Sequence, residues 1–109
     1  MLQHSDISNV NTDLLLWIGE GLPVHDRKNR TIGKVQSVYF ADDYPATSPL
    51  QSLLQNVPES LRTRLIYEGF IEIDNGHLPG RLYAASGQIA ELTYGFVKLN
   101  TTRGALVKR

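Results

Sequence analysis

"GLPVHDRKNRTIGKVQSVYF" (Gly21–Phe40) is the stretch whose reading decides the fold. Val24 anchors a short apolar strand, LPVHD, and Arg27–Arg30 supply a polar turn in which Asn29 tolerates a positive φ. TIGKVQSVYF then reads as a second strand. Ile32, Val38 and Phe40 share one parity and Val35 and Tyr39 the other, so apolar groups face both sides near its end. That pattern suits a strand in a small barrel, with core on one side and a neighbour on the other. Gly33 inside the run predicts a bulge or a tight bend. The same stretch has a crowded polar face: His25 beside Asp26, three cations (Arg27, Lys28, Arg30), and the acid pair Asp42–Asp43 just beyond. Neighbouring residues on a strand point to opposite faces. His25 and Asp26 are therefore poorly placed to share one ligand, and the cations sit where a hairpin turn needs polar groups.

Upstream, residues 1–18 read as a lead-in. It is polar at first and then rises in "DLLLWIGEG", a short strand or a segment that plugs one end of the core. Downstream the pattern turns helical. In "TSPLQSLLQN", Ser48 is placed as an N-cap with Pro49 at the first helical position and Gln51 completing a capping box. Leu50, Leu53, Leu54 and Val57 recur at helical spacing. Pro58 stops that helix and opens a second, in which Leu61 and Leu65 share a face and Gly69 supplies the stop. These two helices form an insertion over residues 48–68.

The remainder is β again. "FIEID" puts Ile71 and Ile73 on one face and Glu72 and Asp74 on the other, which reads as wet. Asn75-Gly76 is a hairpin signal, "RLYAAS" is the partner strand, and "QIAEL" and "FVKLN" are strands split by the turn "TYG". The tally is a mainly β fold, a small barrel of about six strands with a two-helix insertion.

The chain has 109 residues, 41% of them hydrophobic and 20% charged, as expected of one globular domain. The absence of cysteine excludes disulfides, thiolate metal sites and Cys nucleophiles. The net charge of zero argues against a dedicated nucleic-acid domain. Residues 1–60 carry four Lys/Arg against seven Asp/Glu, and residues 61–109 carry seven against four, so the second half is the basic one. It ends in a basic tail, residues 103–109, with Arg103, Lys108 and Arg109. The N-terminal sequence has neither a basic nor a long apolar region, so no secretory leader and a cytoplasmic location are expected.

Motifs for chemistry are sparse. His4, His25 and His77 have no metal-ligand spacing among them, no G-x-S-x-G elbow surrounds Ser86, and "GEG" (Gly19–Gly21) is not a phosphate loop. No catalytic residue, metal ligand or cofactor is expected, and the protein is read as no enzyme. Phe70 and Phe96 lie opposite the apolar faces of their strands. They are either covered by the helices or exposed as a contact patch. Arg81 with Tyr83, and Phe96 with Lys98, pair cations with aromatics on strand faces.

The residues that carry the barrel reading also resemble the PRC-barrel family. In "GLPVHDRKNRTIGKVQSVYF" the likeness lies in the Gly, the apolar "PV" strand, the charged turn, and "IGKV" with a further apolar residue three on. "EGFIEID", "RLYAASGQIAEL" and "GFVKLN" are similar to that family's closing strands. The likeness spans roughly residues 19–102, although the family's usual connection is shorter than the 48–68 insertion. PRC-barrels serve as adaptors in the H subunit of photosynthetic reaction centres, in a ribosome-maturation factor that docks on a ribosomal protein, and in small stand-alone proteins. They share no catalytic residue, so none is carried over. The resemblance implies a non-catalytic adaptor acting through protein–protein contacts. Its partner is unnamed, a homodimer is one form, and no membrane insertion is expected. Phe70, Arg81, Tyr83, Phe96 and Lys98 are the candidate contact residues. The alternative is an RNA- or ribosome-associated module using the C-terminal cations.

Overall fold

The chain's three predicted strand pairs and its helical insertion are all present in the computed structural model, which describes residues 14–76 and 81–108. The strands are β1 (Pro23–His25), β2 (Thr31–Tyr39), β3 (Phe70–Asp74), β4 (Leu82–Ala85), β5 (Ile89–Thr93), β6 (Phe96–Leu99) and β7 (Val107–Lys108). Two helices, α1 (Leu50–Leu53) and α2 (Glu59–Glu68), stand between β2 and β3. All the strands join one seven-stranded sheet in the order β5-β6-β1-β2-β3-β4-β7. Every neighbouring pair is antiparallel except β1 and β6, which run parallel with Val24 opposite Val97. Among the described residues no pairing joins β5 to β7, so the sheet is open where a closed barrel was expected.

The β1–β2 hairpin follows its sequence closely. Asn29 takes φ 64°, the Asp26 N–H donates to the Arg30 carbonyl at 2.9 Å, and the Asn29 N–H donates to the Asp26 carbonyl at 2.9 Å. β2 then departs from simple alternation. Its register against β1 jumps from Val24–Gly33 to His25–Thr31, which leaves Ile32 as an extra residue. Against β3 it jumps from Val35–Ile73 to Ser37–Glu72, which leaves Gln36 extra. Each bulge resets the parity. Ile32, Val35 and Val38, three residues apart, therefore all face the same core.

That core lies on one face of the sheet and contains Val24, Ile71, Ile73, Leu82, Ala84, Ile89, Val97 and Leu99. Leu15 and Ile18 enter it from a helical turn, in which the Trp17 N–H donates to the Leu14 carbonyl at 3.0 Å. The part of "DLLLWIGEG" from Leu14 onward thus plugs the core, as a turn rather than a strand. Leu106 enters the same core from the chain after β6. Residues 103–105 form a 3-10 turn and Val107–Lys108 pairs with β4, so much of the C-terminal basic stretch is built into the fold.

The opposite face of β3–β4 carries a second core. Phe70, Tyr83 and Ala85 pack there against Leu54, Val57, Leu65 and Ile66 of the insertion. Phe70 stacks on Tyr39 with centroids 4.8 Å apart and meets Tyr83 edge-on at 5.5 Å. β3 and β4 are consequently buried on both faces, and Glu72, expected to be wet, is only 6% exposed. The first helix is shorter than its periodicity predicts. Ser48 Oγ accepts from the Leu50 N–H at 3.1 Å, but the Gln51 amide donates to the Pro45 carbonyl at 2.7 Å and so does not close a capping box. In α2, Leu65 is buried while Leu61 stays exposed.

Gly69 ends α2 with its N–H on the Leu65 carbonyl at 2.9 Å and φ at 83°. A Cβ there would stand 2.7 Å from Leu15 Cδ1, 2.9 Å from the Ala41 nitrogen and 3.1 Å from the Tyr39 carbonyl oxygen. Both the backbone conformation and the space demand glycine. Gly69→Ala is expected to lower stability by about 2–4 kcal/mol in urea unfolding. Gly19→Ala, at a site with nothing within 4 Å, serves as a near-neutral control.

Candidate functional site

The polar end of the β1–β2 hairpin is organised by Asp26. Its side chain lies inward, opposite His25, and is 1% exposed. Oδ1 accepts from the backbone N–H groups of Lys28 (2.8 Å) and Arg30 (2.9 Å), and Oδ2 accepts from Arg30 Nε at 3.0 Å. The Arg30 N–H is the chief cause that holds this carboxyl below its ordinary value of 3.8. Desolvation opposes it, and the Lys28 N–H and the Arg30 guanidinium add to it. Asp26 is thus a structural anion that shapes the turn. Arg27, Lys28 and Arg30 are exposed around it. The Arg27 N–H donates to the Thr101 carbonyl at 3.1 Å, which draws the 100–105 segment against the turn. Arg103 and Arg30 then line one open cavity of about 330 Å³ together with Asp26, Thr31 and Ile32.

His25 points to the outer face and stacks on Phe96 of β6, with centroids 4.2 Å apart and planes 20° apart. Lys98 lies beside His25 in the parallel pairing and opposite Glu91 of β5. A second polar group spans the outer face of β2, β3 and β4. Arg81 reaches Glu72 at 3.6 Å, Asp74 at 3.3 Å and Gln36 at 3.4 Å, and Tyr39 Oη donates to Glu72 at 3.4 Å. The Asp74 carboxyl also accepts from the Gly76 N–H at 2.9 Å, the chief cause that lowers its pKa.

The far end of β2 is apolar and aromatic. Leu16, Trp17, Phe40, Tyr44 and Tyr67 are all exposed, Trp17 by 74%. Their chain segments adjoin: the Leu15 side chain and the backbone at 39–41 lie over Gly69, and the Asp42 N–H donates to the Ile66 carbonyl at 2.9 Å. Tyr94 is also fully exposed, at the tip of the β5–β6 hairpin.

The five contact residues expected from the sequence do not form one surface. Phe70 and Tyr83 are buried under the helices, which removes them from contact with a partner. Arg81 is bound into the acidic network, and only Phe96 and Lys98 stay together on an accessible face. The C-terminal cations are also divided, with Arg103 beside the β1–β2 turn and Lys108 opposite Leu82 on the β7 edge. His4, His77 and Arg109 lie outside the described residues. Among the described residues no three His, Cys, Asp or Glu side chains group to hold a metal ion, and no helix is long and apolar enough to cross a membrane. Sequence reasoning missed the Trp17–Phe40–Tyr67 end. Its signal was available in "LLLW" and "VYF", where the apolar run exceeds what one buried face can use. No protein-family model matches this chain, and neither does any curated protein or solved structure.

Two expectations follow for the polar groups. A carboxyl with a lowered folded-state pKa contributes stability that is complete above its unfolded value and is lost as pH falls through the folded one. Asp26→Asn should therefore flatten the fall in urea midpoint below about pH 4, and the wild type should keep the steeper acid loss. Arg81→Met removes the cation beside the buried Glu72 and should cost about 1–3 kcal/mol at neutral pH in the same assay.

Proposed function

We propose that the protein is a non-catalytic binding module, an adaptor of PRC-barrel-like type, that engages a protein partner through the aromatic end of β2. The observation that carries this reading is the exposure of Leu16, Trp17, Phe40, Tyr44 and Tyr67 on chain segments that adjoin around Gly69 and the Asp42–Ile66 bond, beyond the last residues of β2. Single exposed apolar residues are ordinary, but aromatics gathered at one end mark contact surfaces. Tyr and Trp bring large area at low entropy cost and dominate binding energy where they anchor an interface. The PRC-barrel-like part of the reading is supported by the hairpin of Gly21–Phe40, with its bulge at Ile32–Gly33, and by the strand pair around the Tyr94–Gly95 turn. The first partner to test is a second copy of the chain, since symmetric dimers are the commonest closed assembly.

Trp17 is the chain's single tryptophan, so the surface carries its own reporter. Sedimentation should show a concentration-dependent dimer, or a stable complex with one co-purifying protein, accompanied by a blue shift of Trp17 emission. Changing Trp17 and Phe40 together to Ser should abolish the assembly with little loss of fold stability. A protein that stays monomeric, and whose co-purifying proteins are the same with and without those two changes, would overturn the proposal.

A further inference from the structure

The other end of β2 presents a different chemistry. Four cationic side chains, Arg27, Lys28, Arg30 and Arg103, surround the hairpin turn, and the 3.1 Å bond from Arg27 to Thr101 brings the last of them there. Asp26 is the acid of this group, and it is engaged by Arg30 and two turn N–H groups. The remaining three cations have no carboxylate inside the turn to answer them. Two residues back along β1, about 7 Å of extended chain, His25 lies stacked on Phe96, both rings partly exposed, with Lys98 alongside. Glu91 on β5 faces Lys98 and offsets part of its charge.

We infer that this end of the molecule binds single-stranded nucleic acid, with backbone phosphates held by Arg27, Lys28, Arg30 and Arg103 and a base stacked on the His25–Phe96 pair. Cations that track the backbone together with an aromatic platform are what such binding requires, and it tolerates any base because every base has a flat face. The bound strand would pass over the turn, from the Asp26 side where Arg30 and Arg103 line the cavity to the outer face that carries His25 and Phe96. Arg30 and Arg103 offer forked donors that match phosphate oxygens across the cavity of about 330 Å³. The inference does not rest on the protein-binding reading. The two surfaces lie at opposite ends of β2, and neither set of substitutions touches the other.

The test is fluorescence anisotropy of a labelled oligouridylate of about a dozen nucleotides, titrated with the intact protein at low salt and then at rising salt. Saturable binding is expected, weakening steeply with salt. The triple variant Arg27→Ala, Lys28→Ala, Arg103→Ala leaves the Asp26–Arg30 pair intact. It should bind at least about tenfold more weakly, with a salt slope smaller by about two. Phe96→Leu should weaken binding about tenfold with an unchanged salt slope, the mark of lost stacking rather than lost charge. Unaltered thermal unfolding midpoints show that both variants are folded. Absence of binding at low salt would overturn the inference, as would a triple variant that binds like the wild type. Displacement of the oligonucleotide by inorganic pyrophosphate at equal phosphate concentration would also overturn it, by showing a site for free phosphate alone. An unchanged affinity in Phe96→Leu would overturn the stacking half.

Discussion

β2 can lie against β3 only because residue 33 has no side chain. A Cβ on Gly33 would run into the Asp74 carbonyl oxygen and stand 2.8 Å from Ile73 Cγ2 and 3.0 Å from the Asn75 Cα. The bulge at Ile32–Gly33 occurs at the same place, and it brings Ile32 onto the core side as β2 leaves β1 for β3. From that contact the rest follows. With β2 turned this way, Val35 and Val38 continue the core. The strand's first residues adjoin the cationic turn, and its last residues reach the aromatic end. One strand thus runs between the exposed aromatic end and the cationic turn, and its two extra residues set which of its own side chains face the core.

Much of this was legible where the determining forces are local. Asn29 and the Tyr94–Gly95 turn announce their hairpins because a positive φ is a property of one residue and its neighbours. "FIEID" announces a strand because its Ile71 and Ile73 alternate with acids. The stop at Gly69 also belongs to short-range physics, whereas the helical spacing of Leu50, Leu53, Leu54 and Val57 announced a helix longer than the Leu50–Leu53 turn that forms. Glu72 and Tyr83 were not legible. Polarity placed Glu72 on a wet face, where Tyr39 and Arg81 reach it instead of water, and Tyr83, read as a contact residue beside Arg81, is packed against the helical insertion. The same cover settled which of two readings applied to Phe70. Phe96 lies beyond the helices' reach and found His25 instead, a contact between strands 71 residues apart in sequence.

The candidate sites show the same division. The charged turn divides into residues that build it and residues whose side chains stand exposed around it. Asp26 and Arg30 make the turn, whereas Arg27 and Lys28 are spare. Arg103 joins them because the chain that carries it is held on both sides, by the Arg27 N–H on the Thr101 carbonyl before it and by Leu106 in the core after it. The C-terminal cations read from the sequence as one basic tail were separated by this apolar residue, which fixes where the chain must pass. Hydrophobic burial therefore decided the electrostatics of this end, since it determined which cations stand together.

The parallel seam between β1 and β6 has a kinetic consequence. Val24 pairs with Val97, so the middle of the sheet is joined by residues from the two ends of the chain. The β1–β2 and β5–β6 hairpins close over short loops, and each carries its own turn signal. The seam must bring them together across most of the sequence, at the loop-closure cost that long-range pairing always bears. On the ribosome, β1 and β2 wait without their partner until Leu99 has emerged, with the edge of β1 unpaired in the meantime. A nascent chain stopped before β6 carries an open strand edge in the middle of its future sheet, the feature through which unfinished β proteins aggregate.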